Sequence, residues 1–225
     1  MELSDNTMSI LKNFAGINPN ILIKEGNIIK TISEARNVLA TANVTEEFSK
    51  EFGIYDLSEF IGVLGLVDTP NLKFEDDSVI ISDSSGRSKI KYFYSSEDTL
   101  TTPQKDISMP EGEVKFKLDV DILNKIKRAA STLGHNEVSI SGNNGIITLS
   151  VIDSQNKTSN IFSIDIDGEY AEGSVFNFVL NINNLKIITA DYDVEISSKL
   201  ISQFSNSDNN VKYWIALEKS STFGV

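Results

Sequence analysis

Apolar positions along this chain repeat with two periods in turn, and the changes from one to the other mark its elements. Over residues 4–15 (SDNTMSILKNFA) the spacing is helical. At about 100° per residue, Met8, Ile10, Leu11, Phe14 and Ala15 face one way, and Ser9, Lys12 and Asn13 the other. Ser4 or Asp5 can cap this helix, and Asn18-Pro19-Asn20 closes it. Over residues 21–54 the period falls to two. Glu25-Gly26-Asn27 predicts a hairpin turn between ILIK and IIKTIS, with VLATANV and EFGI as further strands of an antiparallel meander. Residues 54–68 return to the helical period, with Leu57, Phe60, Ile61 and Leu64 inward and Asp56 as cap. Ser58, Gly62 and Gly65 form a stripe of small residues on this helix, as close packing against a neighbour would need. LKFEDD, SVIISDS and SKIKYFYSS then predict short strands.

Residues 95–111 hold two of the four prolines and few large apolar side chains, which marks a connector. The same order then recurs: a strand (VKFKL), a helix over 119–134, strands NEVSISG, GIITLSVID and NIFSIDIDG, and a fourth helix position in FNFVLNINNLKIITADYD. Strands VEISSKLISQFS and VKYWIALE follow. The helices SILKNFAG and DILNKIKRA are weakly similar, so internal duplication is the economical explanation. The expected organisation is a domain over 1–96, a connector over 97–110 and a second domain over 111–225. Each is α+β, with antiparallel sheets and two short helices gathered on one face. Exposed strand edges at 89–94 (Lys89, Ile90, Tyr92, Tyr94) and 174–180 (Val175, Phe176, Phe178) would invite aggregation unless another copy covers them. A closed head-to-tail ring provides such cover.

Composition changes this picture in one respect. The chain has 225 residues, no cysteine, one histidine and a formal charge of −12. Disulfides, thiolate catalysis and Cys-ligated metals are excluded, and little imidazole chemistry remains. No run of about 18 apolar residues suggests a membrane span, and MELSDNTMSI lacks the regions of a signal peptide, so a cytoplasmic setting is expected. Net acidity argues against phosphate binding unless the cations are gathered in one place. The 119–134 helix gathers them: Lys125, Lys127 and Arg128 occur between Ile122 and Asn136 with no anion among them. Ile122, Leu123, Ile126, Ala129, Ala130 and Leu133 form its apolar side. Asn124, Lys125, Arg128, Ser131 and Thr132 form the polar arc, with Lys127 at its border. Asp119 and Asp121 suit its N-terminus and Gly134 its end. Such a helix is either a solvated face or a surface that meets a polyanion.

IYDLSEFIGVLGLV, FNFVLNINNLKI, the ending VKYWIALEKSSTF and the start LKNFAGINPNILIKEGN resemble the sliding clamps of T-even-type bacteriophages, in the right order over essentially the whole chain. The resemblance implies a homotrimeric ring of duplicated clamp-type domains, helices lining the hole and sheets outside, with no catalytic residue, cofactor or metal. It further implies double-stranded DNA held without sequence preference, tethering of the replicative DNA polymerase, loading by a clamp loader ATPase, and late-transcription partners (a sigma-like factor and a co-activator) in the infected bacterial host. Carried onto this sequence, the DNA-facing candidates are Lys12, Lys125, Lys127, Arg128 and Lys186. The second helix, with Asp56 and Glu59, supplies no cation and so departs from an evenly basic lining. A partner-peptide groove under the connector would involve Val38, Leu39, Leu100, Trp214, Ala216 and Leu217. For Trp214 the other reading is an ordinary core aromatic.

Other signals point to no chemistry. Asp165-Ile166-Asp167-Gly168-Glu169 lacks the spacing of a calcium loop and reads as a charged turn after a strand. Glu46, Glu47 and Glu51 have no second convergent group for a hydrolytic site and read as a solvated edge. GNNG at 142–145 is a hairpin turn without P-loop spacing. A phage structural or adhesin-like β-rich protein is the alternative reading.

Overall fold

The computed structural model describes all residues but Asn144, Lys157 and Val225. It divides into one unit of Met1–Asp106 with Asp208–Val211 and another of Ile107–Ser207 with Lys212–Val225. In the first unit, helix α1 (Asp5–Ile17) starts where the Ser4 hydroxyl accepts the Thr7 N–H at 3.2 Å. It buries Ile10, Leu11, Phe14 and Ile17, each contributing about 1.5–3 kcal/mol of transfer free energy. This apolar face packs on strand β3 (Val38–Phe48) and on helix α2, which spans Leu57–Leu64 and is capped by the Asp56 carboxylate accepting the Glu59 N–H at 2.9 Å. Strand β1 (Ile21–Ile23) pairs with β4 (Phe52–Ile54), β2 (Gly26–Ile32) with β3 (Val38–Phe48), and β5 (Asn71–Phe74), β6 (Ser78–Ser82) and β7 (Lys89–Phe93) form a third sheet in that order. The hairpin expected at Glu25-Gly26-Asn27 is therefore not a ladder between β1 and β2. Ile21, Leu22 and Ile23 are all buried without alternation, and β1 takes its partner far downstream, Ile21 opposite Ile54 and Ile23 opposite Phe52.

Among the described residues of the second unit, nine strands follow the order β16-β12-β9-β10-β11-β8-β13-β14-β15. They are β8 (Val114–Leu118), β9 (Glu137–Asn143), β10 (Ile146–Ile152), β11 (Phe162–Tyr170), β12 (Val175–Asn181), β13 (Tyr192–Ser197), β14 (Ile201–Asn206), β15 (Val211–Ala216) and β16 (Thr222–Gly224). β9 and β10 form the hairpin read at GNNG, whose Asn144 lies outside the described residues. Strand β11 changes partner midway, pairing with β10 up to Asp167 and with β8 from Gly168. Glycine is required there: a Cβ would lie 2.3 Å from Ile147 Cδ1 and 2.8 Å from the Lys115 carbonyl. Residues 165–169 are thus strand, not a charged turn.

Helix α3 (Val120–Leu133) packs on β10 and buries Leu123, Ile126 and Ala130. Asp119 makes no side-chain cap; the Val120 N–H instead donates to Asp191 Oδ1 at 2.6 Å, from 71 residues away. Gly134 ends the helix in the left-handed region at φ 70°.

Two further expectations for this unit fail. The fourth helix is replaced by β12 and a 3₁₀ turn at Ile182–Asn184, because Phe176, Phe178 and Leu180 alternate at period two and Asn181 turns the chain by accepting the Asn183 N–H. Strand β12 is also not an edge. It lies between β9 and β16, with Phe176 and Phe178 buried and Phe178 stacked between Phe176 and Phe223 at 5.5 and 6.0 Å.

Candidate nucleic-acid interface and partner sites

Each cation named from the sequence has a definite setting. On α3, Lys125 and Arg128 are exposed one turn apart, with Ser131 and Thr132 on the same face. Neither makes an ion pair among the described residues, so both charges stay available to an anion. Lys127 is half-buried, and burial pulls its ammonium below the ordinary lysine pKa, as its place at the border of the arc foreshadowed. Lys12 is exposed on α1, flanked on that face by Ser9 and Gly16. Lys186 is exposed too, but in the loop after the 3₁₀ turn and not on a helix. On α2 the outward residues are Ser58, Glu59 and Gly62, with no cation. Its small-residue stripe does not pack closely: nothing lies within 4 Å of where a Gly62 Cβ would be.

The strand-edge residues divide by face. Among the described residues β7 has a ladder partner only in β6, so its outer edge is open there. Lys89, Lys91 and Phe93 are exposed, with the Lys91 ammonium 4.7 Å from the Phe93 ring centre. Ile90, Tyr92 and Tyr94 turn inward and are half-buried. Tyr92 packs edge-on to Phe60 at 5.1 Å, and burial, with Glu59 and Asp56 beside it, pushes its phenol up to about 12. Of the second trio only Val175 is exposed, at 73%.

Of the groove residues, Val38 and Leu39 are buried in β3. Leu100 is half-buried against Gly53, where any Cβ would lie 2.6 Å from its Cδ1. Trp214 and Ala216 are half-buried on the face of β15 opposite to Tyr213 and Ile215, and Leu217 is buried. Trp214 is therefore not a fully buried core aromatic. The connector is anchored by two buried asparagines that sequence reading took only as a turn. Asn18 Nδ2 donates to the carbonyls of Ile32 and Thr101, both at 2.9 Å, and Asn20 Oδ1 accepts the Thr101 N–H at 2.8 Å. Beyond that clasp, residues 102–106 and the β1–β2 segment border a cleft of 390 Å³ lined by Leu22, Ile28 and Pro103, with Lys30 paired to Asp106. Leu22 and Ile28 carried no distinguishing signal in the sequence, because their place in this cleft depends on where residues 102–106 fold back.

Among the described residues no group of three or more metal-ligating side chains is placed to hold an ion, and no helix is long and apolar enough to cross a membrane. Glu46 is no solvated edge. It accepts hydrogen bonds from the Ser4 N–H and the Thr7 hydroxyl at the start of α1.

Residues 4–101 match the family model of the DNA polymerase processivity factor, and residues 115–219 that of the C-terminal part of the gp45 sliding clamp. The chain belongs to the sliding-clamp family. It is 32% identical to the sliding clamp of Vibrio phage KVP40 over 97% of this chain and 99% of that one. It is 30% identical to those of Escherichia phage RB69 and Enterobacteria phage T4, over 99% of each chain. Its fold is also that of proliferating cellular nuclear antigen from Entamoeba histolytica, with TM-score 0.68, 14% identity, and 96% and 97% of the two chains covered. Sliding clamps are processivity factors and not enzymes, which replaces the adhesin-like alternative.

Proposed function

We propose that three copies of this sliding clamp close head-to-tail around duplex DNA, with Lys125 and Arg128 of α3 and Lys12 of α1 toward the phosphates. The exposed, unpaired Lys125 and Arg128 on one helix of a chain of charge −12 carry this reading. Their contacts are to phosphates and water without base readout, since sliding requires that no register be preferred. Lys127 and Lys186 play smaller parts, the first half-buried and the second on a loop. The open edge of β7 supplies one side of the subunit joint, and β16 with the exposed Val175 supplies the other. The groove for terminal peptides of the replicative polymerase and the clamp loader lies along the connector, with Leu22 and Ile28 joining Leu100. Late-transcription proteins use the same groove, in the cytoplasm of the infected host.

Two measurements test this. Sedimentation at high concentration should give about 74 kDa, three times 24.8 kDa; a strict monomer there refutes the ring, whereas dilution alone dissociates a weak one. Reversing both charges (K125E with R128E) should abolish most processive synthesis on primed template while leaving the trimer mass unchanged. Normal processivity in that variant would remove α3 from the DNA-facing wall.

A further inference from the structure

The outward stripes of the helices carry opposite charge balances in the two units. On α1 the exposed residues recur at Asp5, Ser9, Lys12 and Gly16. On α2, which packs against α1, they are Ser58, Glu59 and Gly62, with the exposed Asp56 capping the first turn. One cation there faces three carboxylates. On α3 the spacing seen in α1 puts Asp121, Lys125, Arg128 and Thr132 outward, two cations to one carboxylate. None of Asp5, Lys12, Asp56 and Glu59 makes an ion pair among the described residues, so the charges of this first face are not cancelled locally. The Glu59 carboxylate is held beside the Tyr92 phenol, which burial and then Glu59 and Asp56 keep from ionising. Gly62, one turn on, adds no side chain to cover it, and nothing lies within 4 Å of where its Cβ would be.

We infer that the helical face of the first unit repels the duplex, so that DNA rests mainly on α3, and that Glu59 and Asp5 set how weakly the clamp holds it. This rests on the encircling arrangement proposed above and adds to it a repulsive half. Every phosphate neutralised by a lysine or arginine releases counterions and tightens the hold. A lining that attracted phosphate on every helix would therefore grip through more contacts and resist movement along the duplex. Carboxylates at fixed places on α1 and α2 remove such contacts, because like charges across a narrow gap disfavour the close approach that α3 favours. Lys12 offsets part of that repulsion, which keeps the first face mildly acidic. Glu59 and Asp5 act on the phosphates through space and need no contact with them.

The probe is a mixed-sequence DNA duplex of about 20 base pairs, titrated against the full chain at about 50 mM salt, where phosphate contacts are strong. Backbone amide shifts locate the contact and fluorescence anisotropy gives the affinity. In the wild type, shifts should fall on Lys125, Arg128 and Thr132 and leave Ser58 and Gly62 nearly unmoved. D5N with E59Q should bind about fourfold tighter, roughly twofold for each charge removed, and its shifts should spread to Ser58 and Gly62. E59K alone should steepen the fall of log affinity with log salt by about 0.9 for each copy brought into contact. Circular dichroism confirms that these exposed substitutions leave the fold intact. Wild-type affinity and salt slope in both variants, with binding lost in K125E with R128E, would overturn this inference and leave the encircling arrangement standing. Affinity unchanged in all three variants would overturn both. Strong shifts at Ser58 and Gly62 in the wild type would show that the duplex already rests on α2, which also overturns the inference.

Discussion

Glu46→Gln isolates one carboxylate that joins α1 to β3. Glu46 accepts from the Ser4 N–H and the Thr7 hydroxyl, at the end of α1 where four N–H groups lack helical partners. Glutamine keeps the shape and one acceptor but removes the charge. A hydrogen bond to a charged group contributes about 1.5–3 kcal/mol net, and a favourable charge at a helix N-terminus about 0.3–1 kcal/mol. Glu46 is partly solvated, and solvent screening takes the expected cost to about 1–2 kcal/mol. At about 2–4 °C per kcal/mol for a chain of this size, Tm should fall by about 2–8 °C at pH 7. Partial burial pushes this carboxyl up, but the Thr7 and Ser4 hydrogen bonds outweigh it and hold it below the ordinary glutamate value. A depressed folded-state pKa stabilises above the unfolded value, about 4.3, and that contribution is lost as pH falls through the folded value. Glutamine does not titrate, so the gap between wild type and E46Q should shrink between about pH 5 and pH 3. Thermal unfolding followed by circular dichroism, at one fixed protein concentration and pH 7, 5 and 3, measures it. A gap of equal size at pH 7 and pH 3 would show that the charge does nothing for the helix.

Two further substitutions probe the second unit. Gly168→Ala should destabilise by about 1–3 kcal/mol, read as a lower urea midpoint at unchanged m value, because the new methyl meets the Lys115 carbonyl as well as the movable Ile147 side chain. Wild-type stability would mean that the strand crossing yields easily. Asp191→Ala removes the remote cap of α3 and should cost about 1 kcal/mol. Faster amide exchange at Val120 and Asp121, with β10 unaffected, is the signature; unchanged exchange would assign the cap to water.

Helices α1 and α3 were legible because a 3.6-residue period is a local property: Ile10, Leu11 and Phe14, like Leu123, Ile126 and Ala130, share a face whatever surrounds them. The exposure of Lys125 and Arg128 and the half-burial of Lys127 follow from the same geometry. The fourth helix was misplaced where two local readings competed. Analogy with the first half favoured a helix, and the period-two alternation of Phe176, Phe178 and Leu180 favoured the strand that forms.

What the sequence determined by itself is the helices α1, α2 and α3 and most of the strands in their order, the gathering of cations on α3 in an acidic chain, and the family these residues resemble. Tertiary structure alone decided who pairs with whom: β1 with β4, β12 covered by β16, Asp191 capping a helix 71 residues away, and β11 leaving β10 for β8 at Gly168. Periodicity reports which face of an element is apolar. It carries no record of which distant segment will cover that face, because pairing across tens of residues is chosen by the free energy of the whole packed unit.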